Sequence, residues 1–151
     1  MKNIGVSIIT VVYNNIRGIE RTIQSVLNQS YNNIEYIIID GGSTDGTLDV
    51  IKRYENRISY WISEADEGIY NAMNKGILKA HGSFLNFMNS GDTFVTSTTI
   101  ERLIERYEKG DKIIYGNILK CYDRRKERTS GIVSSHPDII DFYKNMINHQ
   151  A

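Results

Sequence analysis

The chain has 151 residues and a mass of 17.3 kDa, the size of one domain that buries about two thirds of its unfolded surface. It is 40% hydrophobic and 24% charged, which excludes a disordered chain, and its 18 Lys and Arg balance 18 Asp and Glu. A zero net charge argues against nucleic-acid binding, which needs a basic surface to neutralise phosphates, and a single cysteine, Cys121, excludes an internal disulfide and a cysteine zinc cluster. Apolar runs break off long before the roughly 18 residues needed to span a bilayer. Met1–Gly5 leads straight into a strand-like segment, so the expectation is an intracellular chain without a leader.

The elements alternate strand and helix. Val6–Val12 is a β-branched run, apolar on both faces as in a buried parallel strand. Ile19, Ile23, Val26 and Leu27 then mark one face of a helix. Ile34–Ile39 reads as a second strand, broken by Gly41-Gly42-Ser43-Thr44. Ser43 or Thr44 is expected to cap a helix carrying Leu48, Ile51 and Tyr54. Ile58–Ile62 reads as a third strand, and Ile69, Ala72, Met73, Gly76, Ile77 and Ala80 as a helical stripe. Ser83–Met88 is a fourth strand, followed by the turn Asn89-Ser90-Gly91-Asp92. A helix holds Ile100, Leu103, Ile104 and Tyr107. Lys112–Tyr115 and Ile118–Tyr122 read as later strands, and Asp138–Ile147 has helical spacing. Successive strand–helix units predict an α/β fold with a mostly parallel central sheet and helices on both faces.

Polar and acidic residues collect after each of the first four strands. They are Tyr13-Asn14-Asn15, then Asp40-Gly41-Gly42-Ser43-Thr44-Asp45-Gly46, Glu64-Ala65-Asp66-Glu67-Gly68 and Asn89-Ser90-Gly91-Asp92. In open α/β sheets, ligands bind at that carboxyl edge. The loops hold neither a dinucleotide fingerprint nor a Gly-Lys phosphate loop. A diphosphate would instead be neutralised by a hard divalent cation on carboxylate oxygens, and Asp92 suits that role.

In order and spacing, four segments resemble the family 2 glycosyltransferases of bacterial polysaccharide synthesis. They are Ser7–Asn14, Ser25–Tyr31, Glu35–Thr47 and Phe87–Asp92. Ser63–Gly76 is similar to the subgroup of colanic-acid-type transferases. The resemblance is strongest from Ile4 to about Phe94 and thinner beyond, where Ile114-Tyr115-Gly116-Asn117 and His149-Gln150-Ala151 also look familial.

The resemblance implies a nucleotide-diphospho-sugar transferase (GT-A, Rossmann-like) fold. It implies inverting transfer of a sugar from a nucleotide-diphosphate sugar to a hydroxyl of a glycan or lipid-linked glycan, with Mn2+ or Mg2+ as cofactor. The segment after the first strand lies against the base in the family, which makes Val12 and Tyr13 candidates for base contact. Asp40 and Asp66 are candidates for nucleotide binding, as are Asn74 and Lys75 for the diphosphate. For Asp40 the alternative is a turn carboxylate accepting backbone N–H groups. For Asp66 it is a solvated loop charge, and for Lys75 a solvent-facing helix position. Gly41 stands where the family usually has a second acidic residue that meets the base. Asp92 matches the metal-binding carboxylate, with Asn89 beside it where many members have aspartate. Asp45 is expected to stabilise its turn or the next helix N-terminus, and His81 to sit at a helix C-terminus.

The general base of such enzymes is an aspartate of the acceptor half, normally after the region that His149-Gln150-Ala151 resembles. Residues 1–151 are therefore expected to be the donor-binding part of a transferase cut at its C-terminus, weak or inactive alone. Work at the inner face of the plasma membrane, by peripheral association, is the matching expectation for location. Arg124–Arg128 is a local basic run that reads as a solvated loop, with an anionic acceptor or membrane surface as its functional alternative. A noncatalytic nucleotide-sugar-binding module and a nucleotidyltransferase are the alternatives from other classes. Fold alone does not choose among them.

Overall fold

In the computed structural model, residues 5–108 are described in full, with the backbone of Ile118–Arg124 and Glu127–Val133. The chain divides into two units, Met1–Arg106 and Tyr107–Ala151. The first is the α/β unit foreseen. Its strands are β1 (Val6–Val12), β2 (Ile34–Asp40), β3 (Tyr60–Ser63) and β4 (Phe84–Phe87). Its helices are α1 (Ile16–Leu27), α2 (Thr47–Arg53), α3 (Ile69–Lys79) and α4 (Thr99–Arg106), with a short 3-10 turn at Glu55–Arg57.

All pairings in this sheet are parallel, in the order β3-β2-β1-β4. β1 lies at its centre, with Val6 opposite Ile34 and also opposite Phe84. Alternation along β1 and β2 sends side chains to two cores. Ile8, Val12, Tyr36 and Ile38 pack with Ile19, Ile23, Val26, Ile51, Ile100 and Ile104, so α1, α2 and α4 contribute to one face. Ile9, Val11, Ile37 and Ile39 pack with Ala72, Met73 and Ile77 of α3 on the other. Burial on both faces is why these two strands read as unbroken apolar runs. Thr10 is one of the polar residues buried here, and its hydroxyl meets that of buried Tyr36 at 3.0 Å. Burial raises the Tyr36 phenol well above its ordinary range, against the opposing effect of the Thr10 hydrogen bond.

The β1–α1 connection leads toward β2, whereas α3 carries the chain back across the sheet to β4. The strand order therefore reverses at β1, and the crevice between β1 and β4 is the switch point where α/β sheets bind ligands.

Three expectations change. α2 begins later than the glycine run suggests. Its N-cap is Gly46 at φ +97, with no side-chain cap bond, so neither Ser43 nor Thr44 caps it. Both are engaged with other loops. The third strand starts at Tyr60 rather than Ile58, because Ile58 N–H closes the 3-10 turn on Glu55 O at 3.2 Å. In the second unit, β5 (Ile118–Arg124) pairs antiparallel with β6 (Glu127–Val133), which the sequence did not announce. Of the basic run, Arg124 lies in β5 opposite Glu127 and Arg128 in β6 opposite Asp123. The expected strand Lys112–Tyr115, the helix Asp138–Ile147 and the closing His149-Gln150-Ala151 lie outside the described residues.

Candidate active site

Four loops meet at the carboxyl edge of the sheet, and hydrogen bonds lace each to its neighbour. The β1–α1 loop joins the β2–α2 loop through four bonds. Asn14 N–H donates to Ser43 Oγ at 2.8 Å, and Thr44 N–H to Asn14 Oδ1 at 2.8 Å. Asn15 N–H donates to Thr47 Oγ1 at 3.1 Å, and Ile16 N–H to Asp45 Oδ2 at 3.0 Å. Asn14 has φ 47, a left-handed conformation that asparagine tolerates better than most residues. Asp45 Oδ1 also takes the Thr47 hydroxyl at 2.6 Å and its N–H at 3.0 Å. These donors, the Thr47 hydroxyl foremost, hold Asp45 below the usual carboxylate range.

Asp40 ends β2 and is fully buried. Its carboxylate accepts from the Ser43 hydroxyl, from Ser43 N–H at 3.0 Å and from the Ser63 hydroxyl at 2.6 Å. The second bond is the turn interaction expected as the alternative for this residue. Three donors from the protein occupy the carboxylate, and the third ties in the end of β3. The Asp40 carbonyl accepts Glu64 N–H at 3.0 Å. Val12 is buried in the core, and its carbonyl accepts Gly41 N–H at 2.9 Å.

Tyr13 is 66% exposed, and an aromatic ring of this kind can stack on a planar ligand. Tyr13 and Asp66 converge on Gly41. A Cβ placed on Gly41 would lie 2.6 Å from Asp66 Oδ2 and 3.4 Å from Tyr13 Cδ2. Asp66 Oδ1 accepts Gly68 N–H at 2.8 Å. Lys75 on α3 donates to Ala65 O at 3.2 Å and pairs with Glu64 at 2.8 Å. It therefore braces this loop rather than pointing free into solvent. Asn74, half-buried on α3, has no side-chain hydrogen bond among the described residues.

At the other end of the edge lies the Asn89–Asp92 turn. Asp92 N–H closes it on Asn89 O at 3.0 Å, and Ser90 N–H bonds Val11 O at 3.1 Å. Helix α1 holds the turn from beneath. Asn15 Nδ2 donates to Ser90 O and Oγ, both at 3.1 Å, while its Oδ1 caps α1 by accepting Gly18 N–H at 3.0 Å. Buried Thr22 accepts Gly91 N–H at 2.9 Å and donates to Asp92 O at 2.8 Å. The Ser25 hydroxyl accepts Phe94 N–H at 2.7 Å. The sequence pattern had marked neither Thr22 nor Ser25 as a site residue. A polar residue on the buried face of an otherwise apolar helix stripe was the available signal.

Two side chains of this turn fit a hard cation. Asn89 Oδ1 is a buried acceptor without a donor, and the exposed Asp92 carboxylate has no partner among the described residues. Among the described residues there is no group of three or more His, Cys, Asp and Glu side chains that could hold a metal ion on its own. Mg2+ and Mn2+ are commonly held by few protein side chains, with substrate phosphates and water completing the shell.

The parallel sheet and its crevice are those of an open α/β fold, and likeness to solved structures places it as the nucleotide-diphospho-sugar transferase (GT-A) fold. The mannosyltransferase PcManGT from Pyrobaculum calidifontis, in complex with GDP-Man and Mn2+, superposes with TM-score 0.64 at 20% identity, over 70% of this chain and 32% of that one. S. aureus TarS in complex with UDP-GlcNAc gives 0.61 at 24% identity, over 67% and 30%. The family is shown by sequence: residues 7–150 match the model for glycosyl transferase family 2, and the chain belongs to that family. An uncharacterised glycosyltransferase of Haemophilus influenzae is 32% identical over 148 residues, 95% of this chain and 45% of that protein. An uncharacterised glycosyltransferase of Mycobacterium tuberculosis is 42% identical over 101 residues, 66% and 38% respectively. The putative teichuronic acid biosynthesis glycosyltransferase TuaG of Bacillus subtilis is 42% identical over 90 residues, 58% and 36%. The chain thus spans less than half the length of these relatives.

Proposed function

We propose that this chain is the donor-binding part of an inverting glycosyltransferase that moves a sugar from a nucleotide-diphosphate sugar to an acceptor hydroxyl in bacterial cell-surface polysaccharide synthesis. One observation carries the proposal. The exposed aromatic ring of Tyr13 and the Asp66 carboxylate meet beside β2, and the free oxygens of Asn89 and Asp92 lie beyond β1. Two strand spacings, about 10 Å, separate these ends, the scale of a nucleoside diphosphate. A donor would lie across the crevice with its base on Tyr13 and its diphosphate toward Asp92. Asn74 faces the diphosphate in this proposal, and Asp40 and Val12 shape the floor without touching the ligand.

Asp92 and Asn89 would hold Mn2+ or Mg2+. When bound, such a cation supplies Lewis-acid stabilisation of the charge left on the departing diphosphate. With one carboxylate and one neutral carbonyl oxygen, the protein's own affinity for the cation is weak without nucleotide. Tyr13 orients the base, and the laced loops fix the pocket before the donor arrives, which limits the ordering cost of binding. We assign no residue of this chain as the base that takes the proton from the acceptor hydroxyl. The acceptor, a glycan or lipid-linked glycan, and action at the inner membrane face belong to the proposal. Among the described residues, no helix is long and apolar enough to cross a membrane. The GDP-Man and Mn2+ held by PcManGT, the UDP-GlcNAc held by TarS and the putative role of TuaG in teichuronic acid biosynthesis support sugar donors, Mn2+ and an envelope polysaccharide as the chemistry to test first.

Calorimetric titration of the 151-residue chain with UDP-, GDP- and dTDP-sugars, with and without Mn2+, tests this. The expected result is binding of at least one donor, tighter with Mn2+, with the metal-dependent gain removed by Asp92→Ala. Absence of binding to every donor rejects the donor site. An undiminished Mn2+ effect in Asp92→Ala rejects the metal assignment.

A further inference from the structure

The Asp66–Gly41 contact carries an inference about which base the site accepts, and it rests on the donor-site proposal above. Asp66 reaches Gly41 from a different loop, and its Oδ2 occupies the place a side chain at position 41 would need. Any Cβ there would approach Oδ2 to 2.6 Å, so residue 41 must be bare for this carboxylate to be seated. The loop carrying Asp66 is braced at three points. Glu64 N–H bonds Asp40 O, Lys75 holds Ala65 O and Glu64, and Asp66 Oδ1 takes Gly68 N–H. Oδ2 is left without a donor among the described residues, beside the exposed ring of Tyr13.

We propose that Asp66 Oδ2 selects the donor's base by accepting a hydrogen bond from a ring N–H on the edge of the base stacked against Tyr13. An ionised carboxylate only accepts hydrogen bonds. Uracil, thymine and guanine present a ring N–H on that edge. Cytosine and adenine present a ring-nitrogen lone pair there, which a carboxylate repels. Gly41 is then a specificity-determining position although it has no side chain.

The test is titration of the full chain, in Mn2+, with UDP, GDP, CDP and ADP. Either UDP or GDP should bind roughly 10-fold or more tightly than both CDP and ADP, the size of one charge-assisted hydrogen bond. Asp66→Asn keeps an acceptor for Gly68 N–H and turns an amide NH2, a donor, toward the base, so the preference for a ring N–H should collapse to about 3-fold or less, or reverse. Gly41→Ala displaces the carboxylate and should lower the preference likewise, with circular dichroism showing the fold retained. Should UDP be the preferred ligand, its N3-methyl derivative should bind like CDP. Equal binding of all four nucleotides to the wild-type chain overturns the proposal, as does an unchanged preference in Asp66→Asn. A uniform loss of affinity in that variant, with the preference intact, also overturns it, since it marks Asp66 as a brace only. Each of those results leaves nucleotide binding itself standing. If no nucleotide binds the wild-type chain, the donor site and this inference fall together.

Discussion

Thr22 and Asp92 are 70 residues apart in the chain, yet the Thr22 hydroxyl donates to the Asp92 carbonyl at 2.8 Å and accepts Gly91 N–H at 2.9 Å. A fully buried hydroxyl on α1 thus sets the backbone of the turn that presents the exposed Asp92 carboxylate. Position at a metal site matters on the scale of tenths of an ångström, and outer partners commonly change affinity by roughly 10-fold or more. Thr22→Val keeps the shape and removes both bonds. It should cost about 1–3 kcal/mol of stability, for an unpaired buried N–H and a lost donor. It should also weaken Mn2+-dependent donor binding several-fold while leaving metal-free nucleotide binding near its wild-type value. Calorimetry with and without Mn2+ separates the two. Equal weakening in both conditions would show general loosening rather than a role at the metal turn.

Asp40 ends β2 with three donors on its carboxylate, two from Ser43 and one from Ser63. Removing it strands those donors at a buried position. Asp40→Ala should cost roughly 3 kcal/mol or more, in the range for charged hydrogen bonds lost inside a protein. Asp40→Asn keeps one acceptor oxygen and should cost less. Denaturant unfolding of both variants measures this. The informative control is nucleotide affinity in Asp40→Asn at a temperature where it stays folded. A loss of about 3-fold or less fits a loop organiser. A loss of 100-fold would fit direct contact with the ligand instead.

These two cases show what was legible in the sequence. The double-faced apolar runs of β1 and β2, the amphipathic stripes of α1 and α3 and the polar loops at the strand ends are local patterns. They led to the fold and to the edge that carries the candidate site. The bonds between loops are not local. Nothing near Thr22 announces Gly91 and Asp92, and nothing near Gly41 announces that Asp66, 25 residues on, fills its side-chain space. Ile58 was misread because a buried apolar residue looks alike in a strand and in the turn before it. β6 was missed because Thr129-Ser130-Gly131 breaks the apolar alternation by which a half-buried strand is recognised.

At the opposite edge of the sheet, Glu35 joins β2 to the segment between α3 and β4. It accepts from the Ser7 hydroxyl at 2.5 Å, from His81 N–H at 2.8 Å, and from His81 Nδ1 at 2.7 Å. Burial alone would raise its pKa, but the Ser7 and His81 hydrogen bonds and the His81 charge outweigh it and hold Glu35 below the usual carboxylate range. A carboxylate depressed in the folded state contributes stability that is present above its unfolded pKa and is lost as pH falls through the folded value. Asp45 has the same sign. Stability should therefore fall as pH drops below about 4.5, the ordinary range for these groups. Glu35→Gln should flatten part of that fall. Denaturant midpoints at pH 7, 5, 4 and 3 for the wild type and the variant check this, and parallel curves would exclude Glu35 as a contributor.

Gly76 lies on the inner face of α3, where a Cβ would come within 2.4 Å of Ile9 Cγ2 and 3.5 Å of Ile39 Cγ1. The helix backbone thus rests directly on β1 and β2. Alanine in a helix gains about 1 kcal/mol over glycine in intrinsic propensity. Here it would drive a methyl into Ile9, which is fully buried and has no room to yield. Overpacking typically costs 1–3 kcal/mol, so Gly76→Ala should be net destabilising by roughly 1–2 kcal/mol. The strain should also reach the site, because α3 begins at Ile69, just after the loop that carries Asp66, and its Lys75 braces that loop. Nucleotide affinity should then fall together with the denaturation midpoint. Ile9→Ala removes the clashing methyl at a cost of its own, and the double variant should be more stable than the sum of the two single losses implies, the sign of direct contact. Simple additivity of the two would show that α3 shifts to accept the alanine, and nucleotide affinity in Gly76→Ala would then measure how far that shift carries Asp66 from Gly41.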